Sequence, residues 1–350
     1  MAIQQTENVF AQNRTLITVL LIGTFVAILN QTLLITALPP IMKDLGISLN
    51  TAQWLTTVFL LVNGIMIPIS AFLIETFSTK NLYLGALGLF ALGTTVCALA
   101  PNFTVLLLGR ILQSSGAGIM MPLSQVVMLS IFPVHKRGSA MGLIGLIIGV
   151  APAIGPTLSG YIVQYYSWRV LFYVILPIAV GDLLLARSWM RNVTERTYPK
   201  LDMLSVLLSS VGFGGLLYGF SLAGSDGWLS RPVLSSLSVG SVSVIWFILR
   251  QLKLERPILE FRVFQDRIFT VTNILGIIMF SSLIGAETLI PVYIQNMLGY
   301  SVLYSGLTLL PGAVLTGFIM PIAGRLFDQY GARWLTIIGF TILTVTTFLF

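Results

Sequence analysis

The sequence predicts an all-α integral membrane protein of about eleven transmembrane helices with a cytoplasmic N-terminus, and three observations carry that expectation. Hydrophobic residues make up 56% of the 350 and charged residues only 9%, against about 25% charged in an ordinary soluble domain, and the mean hydropathy is +0.94. The apolar residues are gathered into runs of the roughly 20 that a bilayer crossing needs. Lysine and arginine are sorted between alternate connectors.

The runs fall at about 16–38, 51–74, 81–100, 104–126, 139–163, 169–190, 202–223, 232–250, 269–292, 303–323 and 334–350. The first lacks a short apolar core followed by a small-residue cleavage site, so it reads as a retained helix. Connectors are short except near 187–201 and 250–268, where charge is densest. Placing the N-terminus inside puts fifteen basic residues on the inner side (among them Arg14, Lys80, Lys136, Arg137, Arg187, Arg250, Arg325 and Arg333) and only Lys43, Arg169 and Arg231 outside. This bias sets the orientation and accounts for the net charge of +7 through anionic lipid rather than nucleic acid. Trp54, Trp168, Trp189, Trp228 and Trp334 fall near the expected interfaces.

An internal repeat organises the chain. An ungapped shift of 253 residues aligns Leu45 with Leu298, Gly46 with Gly299, Ser48 with Ser301, Gly64 with Gly317, Pro68 with Pro321, Leu73 with Leu326 and Leu82 with Leu335, and pairs Glu75 with Asp328 and Lys80 with Arg333. Segments 9 to 11 therefore repeat segments 1 to 3 in the same orientation, the parallel repeat of carriers whose halves rock about a midplane site. The expected domains are a six-helix bundle at 1–190, two inserted helices with their loops at 191–268, and a three-helix C-terminal bundle at 269–350. Segments 4 to 6 lack a counterpart, which predicts a chain truncated after its eleventh helix, out of fourteen.

Five motifs stand at matching helix positions. The loop after segment 10 reads GRLFDQYGAR, Gly324 to Arg333, and its first-half partner AFLIETFSTK keeps Glu75 and Lys80. Segment 4 carries RILQSSGAG from Arg110, segment 1 carries LNQTLLITALP from Leu29, and segment 5 carries GVAPAIGPTLSG from Gly149. Together they resemble the major facilitator superfamily, and within it the fourteen-helix drug:proton antiporters. Ser114 and Ser159 stand where that family has glycine, and Asn30 where many members have aspartate. The resemblance implies major facilitator-like helical bundles in the inner membrane and a secondary transporter, not an enzyme, that exchanges hydrophobic or cationic drugs for protons as a monomer without cofactors. An importer of a small polar solute on the same fold, and a non-transporting sensor or remnant, are the alternatives.

The residues give each motif a physical reading. Gly142, Gly155 and Gly160 allow close helix approach, and Pro152 and Pro156 free carbonyls and permit bending, so segment 5 reads as a hinge or as a close-packed seam. Arg110 is the one base well inside a segment. Burial there costs at least about 2.5 kcal/mol, so it faces the interior with a partner or snorkels outward. Asn30, Gln31, Arg110, Gln113 and Glu287 are the expected lining of a substrate and proton pathway, with Glu287 the group whose desolvation suits proton loading. Asp182 is expected to pair with Arg187, one turn away. Glu75 with Lys80, and Asp328 with Arg325 or Arg333, are expected to latch the inner face, with Gly324 and Gly331 shaping that loop. With a lone Cys97, a solvated His135, and no metal-ligand cluster, phosphate-binding glycine loop or nucleophile–base pair in the sequence, an ATP-driven pump or a membrane enzyme is unsupported.

Overall fold

The computed structural model describes residues 2–193, 202–255, 257–300 and 302–349, and within them eleven α-helices. These are α1 (Ala2–Leu45), α2 (Leu49–Thr76), α3 (Thr79–Ala98), α4 (Phe103–Ile131), α5 (Arg137–Tyr165), α6 (Arg169–Trp189), α7 (Met203–Asp226), α8 (Arg231–Lys253), α9 (Arg267–Asn296), α10 (Val302–Tyr330) and α11 (Ala332–Leu349). Ten are long and apolar enough to cross a bilayer, and the eleventh is a shorter apolar helix. The periodic segments are recovered in order, with α1 longer than expected. It runs through Pro39 and Pro40 to Leu45, and Ile41 beyond them is wholly buried, which holds the last turns to the bundle.

Local chemistry sets the helix ends. Ser48, Ser78, Asn102 and Asp266 each accept a hydrogen bond from a backbone N–H in the first turn of the helix they precede, satisfying a donor that has no partner within the helix. The chain leaves α1 through Gly46 at φ 63° and leaves α9 through Gly299 at φ 69°, a region that a Cβ disfavours. These two glycines are repeat partners. The bounds of α2 and α10 obey the same 253-residue offset to within one residue.

Helices α1 to α6 share one apolar core, with Leu20, Leu34, Phe59, Tyr83, Phe90 and Phe172 among its largest buried side chains. Lipid tails are as apolar as leucine, so helices here associate through close packing rather than water exclusion. Gly93 and Gly109 show how: a Cβ on Gly93 would stand 2.5 Å from the Gln113 nitrogen, and one on Gly109 would stand 2.6 Å from Cys97 Sγ. Thus α3 and α4 meet at backbone distance.

Helices α7 and α8 pack on each other and, through α7, on α2. Gly215 faces the backbone of Gly240 across the hairpin. The Trp54 ring packs against that of Tyr218 at a tilt of 38° with centroids 5.5 Å apart, and Thr57 shares a hydrogen bond of 3.1 Å with Ser221. At the other end of the hairpin Asp202 accepts two hydrogen bonds from Arg250, at 2.8 and 3.0 Å. Helix α10 lies along α5, the most extensive helix pairing in the molecule, while α9 and α11 touch the rest chiefly through α10.

Candidate transport site and the seam between α5 and α10

Arg110 is wholly buried between α2, α3 and α4, so the outward-snorkelling arrangement is not formed. Its Nε donates to Leu55 O at 3.2 Å and its Nη1 to Gln113 Oε1 at 3.0 Å, and the guanidinium lies 4.2 Å from the centre of the Phe59 ring. Gln113 in turn donates from Nε2 to Thr94 Oγ1 at 2.8 Å. Thus a carbonyl, an amide and a π-face stabilise the cation, with no carboxylate in an ion pair with it among the described residues. Nη2 has no hydrogen-bond partner.

The other pathway residues are spread out. Asn30 is buried on α1 with its Nδ2 unpartnered, and Gln31 beside it is half-buried. Glu287 is on α9, and its side chain lies outside those described. Arg110 and Gln113 are hydrogen-bonded to each other, and no bond joins either to Asn30 or Gln31. A groove of about 470 Å³ lies instead where α2 meets α7 and α8, lined by Leu61, Ser210, Gly214, Tyr218 and Val239, with none of these five expected pathway residues in its wall.

The seam between α5 and α10 is the close contact between the repeat halves. Gly138, Gly142, Gly145 and Gly149 recur at spacings of four, three and four, which places them on one face of α5. That face meets α10. A Cβ on Gly142 would stand 2.8 Å from Met320 O, one on Gly145 3.1 Å from Met320 Sδ, and one on Gly149 would run into Thr316. From the other side, a Cβ on Gly324 would stand 2.5 Å from Gly138 O. Gly155 faces α1 instead, against Thr32. Helix α5 continues without a break through Pro152 and Pro156 and past Gly160 to Tyr165.

Asp328 closes one end of this seam. Its Oδ1 accepts from the Gly138 N–H at 2.8 Å, and its Oδ2 accepts from the Ser139 N–H at 2.8 Å and from the Ser139 hydroxyl. These amides belong to the first turn of α5, where unpaired N–H groups and the helix dipole favour an anion. This corrects the expected pairing of Asp328 with Arg325 or Arg333, both of which are exposed. At the first-half counterpart, Glu75 is exposed at the end of α2, and Lys80 donates its backbone N–H to Asn192 Oδ1 at 3.3 Å. Gly331, φ 77°, makes the turn from α10 into α11.

Two further expectations are corrected. Asp182 is buried and bonds to Tyr83 rather than Arg187, which points away on an exposed face of α6. Trp168, expected in an interfacial aromatic belt, is 2% exposed and so packs inside the protein rather than on its outer surface. It donates to Asp44 Oδ2 at 3.0 Å beside an Arg169–Asp44 ion pair of 2.7 Å, which ties the end of α1 to the start of α6.

Residues 20–350 match the family model described as Major Facilitator Superfamily. The chain belongs to that superfamily. Its members are transporters and not enzymes. Among superfamily relatives, the MFS-type transporter YcnB of Bacillus subtilis is 57% identical over 96% of this chain and 71% of its own length. The lincomycin resistance protein LmrB of the same organism is 45% identical over 95% and 70%, and the multidrug export protein EmrB of Escherichia coli is 29% identical over 93% and 64%. The chain thus spans about two thirds of the length of these relatives. The superfamily fold is also seen in the proton:xylose symporter XylE, with a TM-score of 0.61 at 15% identity over 93% of this chain and 71% of that one.

Proposed function

We propose that this chain forms the larger part of a proton-coupled exporter of hydrophobic or cationic drugs, working by alternating access with its N-terminus in the cytoplasm and a fourteen-helix complete form. One observation carries the reading: the only acid in the α10–α11 loop motif, Asp328, is bonded to the first turn of α5 at the end of a glycine-lined seam between the repeat halves. Such a contact is directional and reversible, since the carboxylate can give up the amides of α5 to water when that end opens. With the basic connectors inside, the latch lies at the cytoplasmic face, and the conformation is closed to the cytoplasm. Two relatives named for lincomycin resistance and multidrug export support drugs as the substrate class.

In this reading Arg110 and Gln113 on α4 fix the electrostatics of one cavity wall, Asn30 and Gln31 contribute from α1, and Glu287 on α9 carries the exchanged proton. The test is exchange of a lipophilic cation against a pH gradient in proteoliposomes. Efflux is expected only with the interior of the gradient acidic on the accepting side, and Glu287→Gln is expected to bind the cation without responding to the gradient. Gradient-driven efflux with an unchanged pH profile in Glu287→Gln would reassign the proton site. Uptake of a polar solute with no drug exchange would replace the exporter reading itself.

A further inference from the structure

Tyr83 on α3 projects into the junction with α1 and α6, where Gly23 leaves it room. A Cβ at Gly23 would collide with the Tyr83 hydroxyl and stand 2.9 Å from Asp182 Oδ2. Tyr83 is fully buried and Asp182 is 2% exposed. The Tyr83 oxygen lies 2.8 Å from the Val19 carbonyl and 2.7 Å from Asp182 Oδ2. Both are full-strength O–H···O distances, not those of one proton shared weakly between two acceptors. The Val19 carbonyl can only accept, and the tyrosine hydroxyl has one proton to give. Two bonds need two protons, so the second has to sit on Asp182 Oδ2, donating to the Tyr83 oxygen while Tyr83 donates to Val19.

The remaining atoms agree with that assignment. Asp182 Oδ1 has no partner; a bare oxygen is tolerable on a neutral carboxyl and very costly on a buried carboxylate. Among the described residues no cation forms an ion pair with Asp182. Helix α1 has no titratable residue between Arg14 and Lys43, and α5 has none between Arg137 and Tyr161. On α3 the titratable residues are Lys80, at the helix start, Tyr83 itself, and Cys97, which faces Gln113 on α4. On α6, Arg169 bonds Asp44 at the far end and Arg187 is exposed.

We propose that Asp182 and Tyr83 form a proton-binding site at the α1–α3–α6 junction, with Asp182 holding one proton at neutral pH in this conformation. This is separate from Glu287 and does not depend on drug exchange being the protein's activity.

The test is infrared spectroscopy of the purified protein at pH 7, grown with and without carbon-13 aspartate. The chain has six aspartates. Asp44 and Asp202 are in ion pairs, Asp328 accepts three hydrogen bonds, and Asp226 and Asp266 are exposed, so none of these five is a buried carboxyl lacking a cation or a donor. A protonated-carboxyl band that moves with the label is therefore expected from Asp182 alone. It should vanish in Asp182→Asn, whose amide still donates to Tyr83, and shift in Tyr83→Phe. No label-sensitive band at pH 7 overturns the proposal. A band that survives Asp182→Asn, or stays in place in Tyr83→Phe, does so as well. If either variant fails to fold, the labelled wild-type spectrum decides by itself.

Discussion

Arg110 shows what a sequence conveys about a buried charge and what it withholds. Its depth in an apolar segment predicts a functional or well-partnered base, because insertion cost rules out an idle one. The partners stay hidden, since a backbone carbonyl at Leu55 and a phenylalanine face carry no sequence mark of pairing with a cation. The same holds for Asp328: its neighbours Arg325 and Arg333 suggest an ion pair, but the true donors are amides 190 residues away. Arg110→Ala is expected to abolish coupled transport while membrane insertion persists. Arg110→Lys should recover little, because an ammonium cannot donate along both directions of the fork and lie flat on Phe59; full exchange activity in Arg110→Ala proteoliposomes would contradict this. Asp328→Ala should cost about 1 kcal/mol at the α5 terminus. A Ser139→Cys probe should then be alkylated several-fold faster in that background than in the parent, against the buried Cys97 as an internal unreactive thiol.

At the scale of helices, hydropathy reveals the segments because a bilayer imposes a length on each, and the repeat fixes which of them correspond. Helix pairing is less legible. The sequence reading of segment 5 marks Gly142, Gly155 and Gly160, yet Gly138, Gly145 and Gly149 complete the face that meets α10, and Gly155 belongs to the α1 contact. A spacing of four, three and four was the available signal. Gly142→Val is expected to push α10 from α5, since a Cβ would stand 2.8 Å from Met320 O; transport should fall at least tenfold with insertion intact. Gly276→Val on α9, where a Cβ meets nothing within 4 Å, is the control and should transport normally. Equal losses in both variants would remove the seam from the argument. In the hairpin, Arg250 holds the Asp202 carboxyl down to about 2, with burial opposing and Ser205 assisting. A carboxyl lowered in the folded state stabilises at pH above its usual value near 4, and that contribution is lost as pH falls through about 2. Asp202→Asn should flatten the acid limb of a thermal-melting profile over that window and leave the profile above pH 5 parallel to the parent's.

For the whole molecule, the path of the chain between the halves limits how they can move. Helices α7 and α8 rest on α2 and so travel with it. The strand of chain after α8 is fastened back onto the hairpin as far as Arg262, through Gln251 Oε1 accepting from Ile258 and Leu259 N–H groups and Arg262 Nη2 donating to Leu252 and Leu254 carbonyls. From Phe264 onward it is fastened to α9, whose Thr270 hydroxyl donates to Phe264 O and whose Phe269 ring sits 5.1 Å from that of Phe264. Between the two fastenings Phe261–Gln265 forms a single 3-10 turn, with Val263 O accepting from the Asp266 N–H and the Phe261 ring 6.3 Å from that of Phe264, so the covalent joint is short and has almost no slack. Sliding one half past the other, or turning one about Val263, would strip these bonds. Two glycines inserted after Val263 should therefore widen the spread of distances between spin labels on α7 and α9, and an unchanged spread would mean that the α5–α10 face, rather than the joint, sets the range of motion.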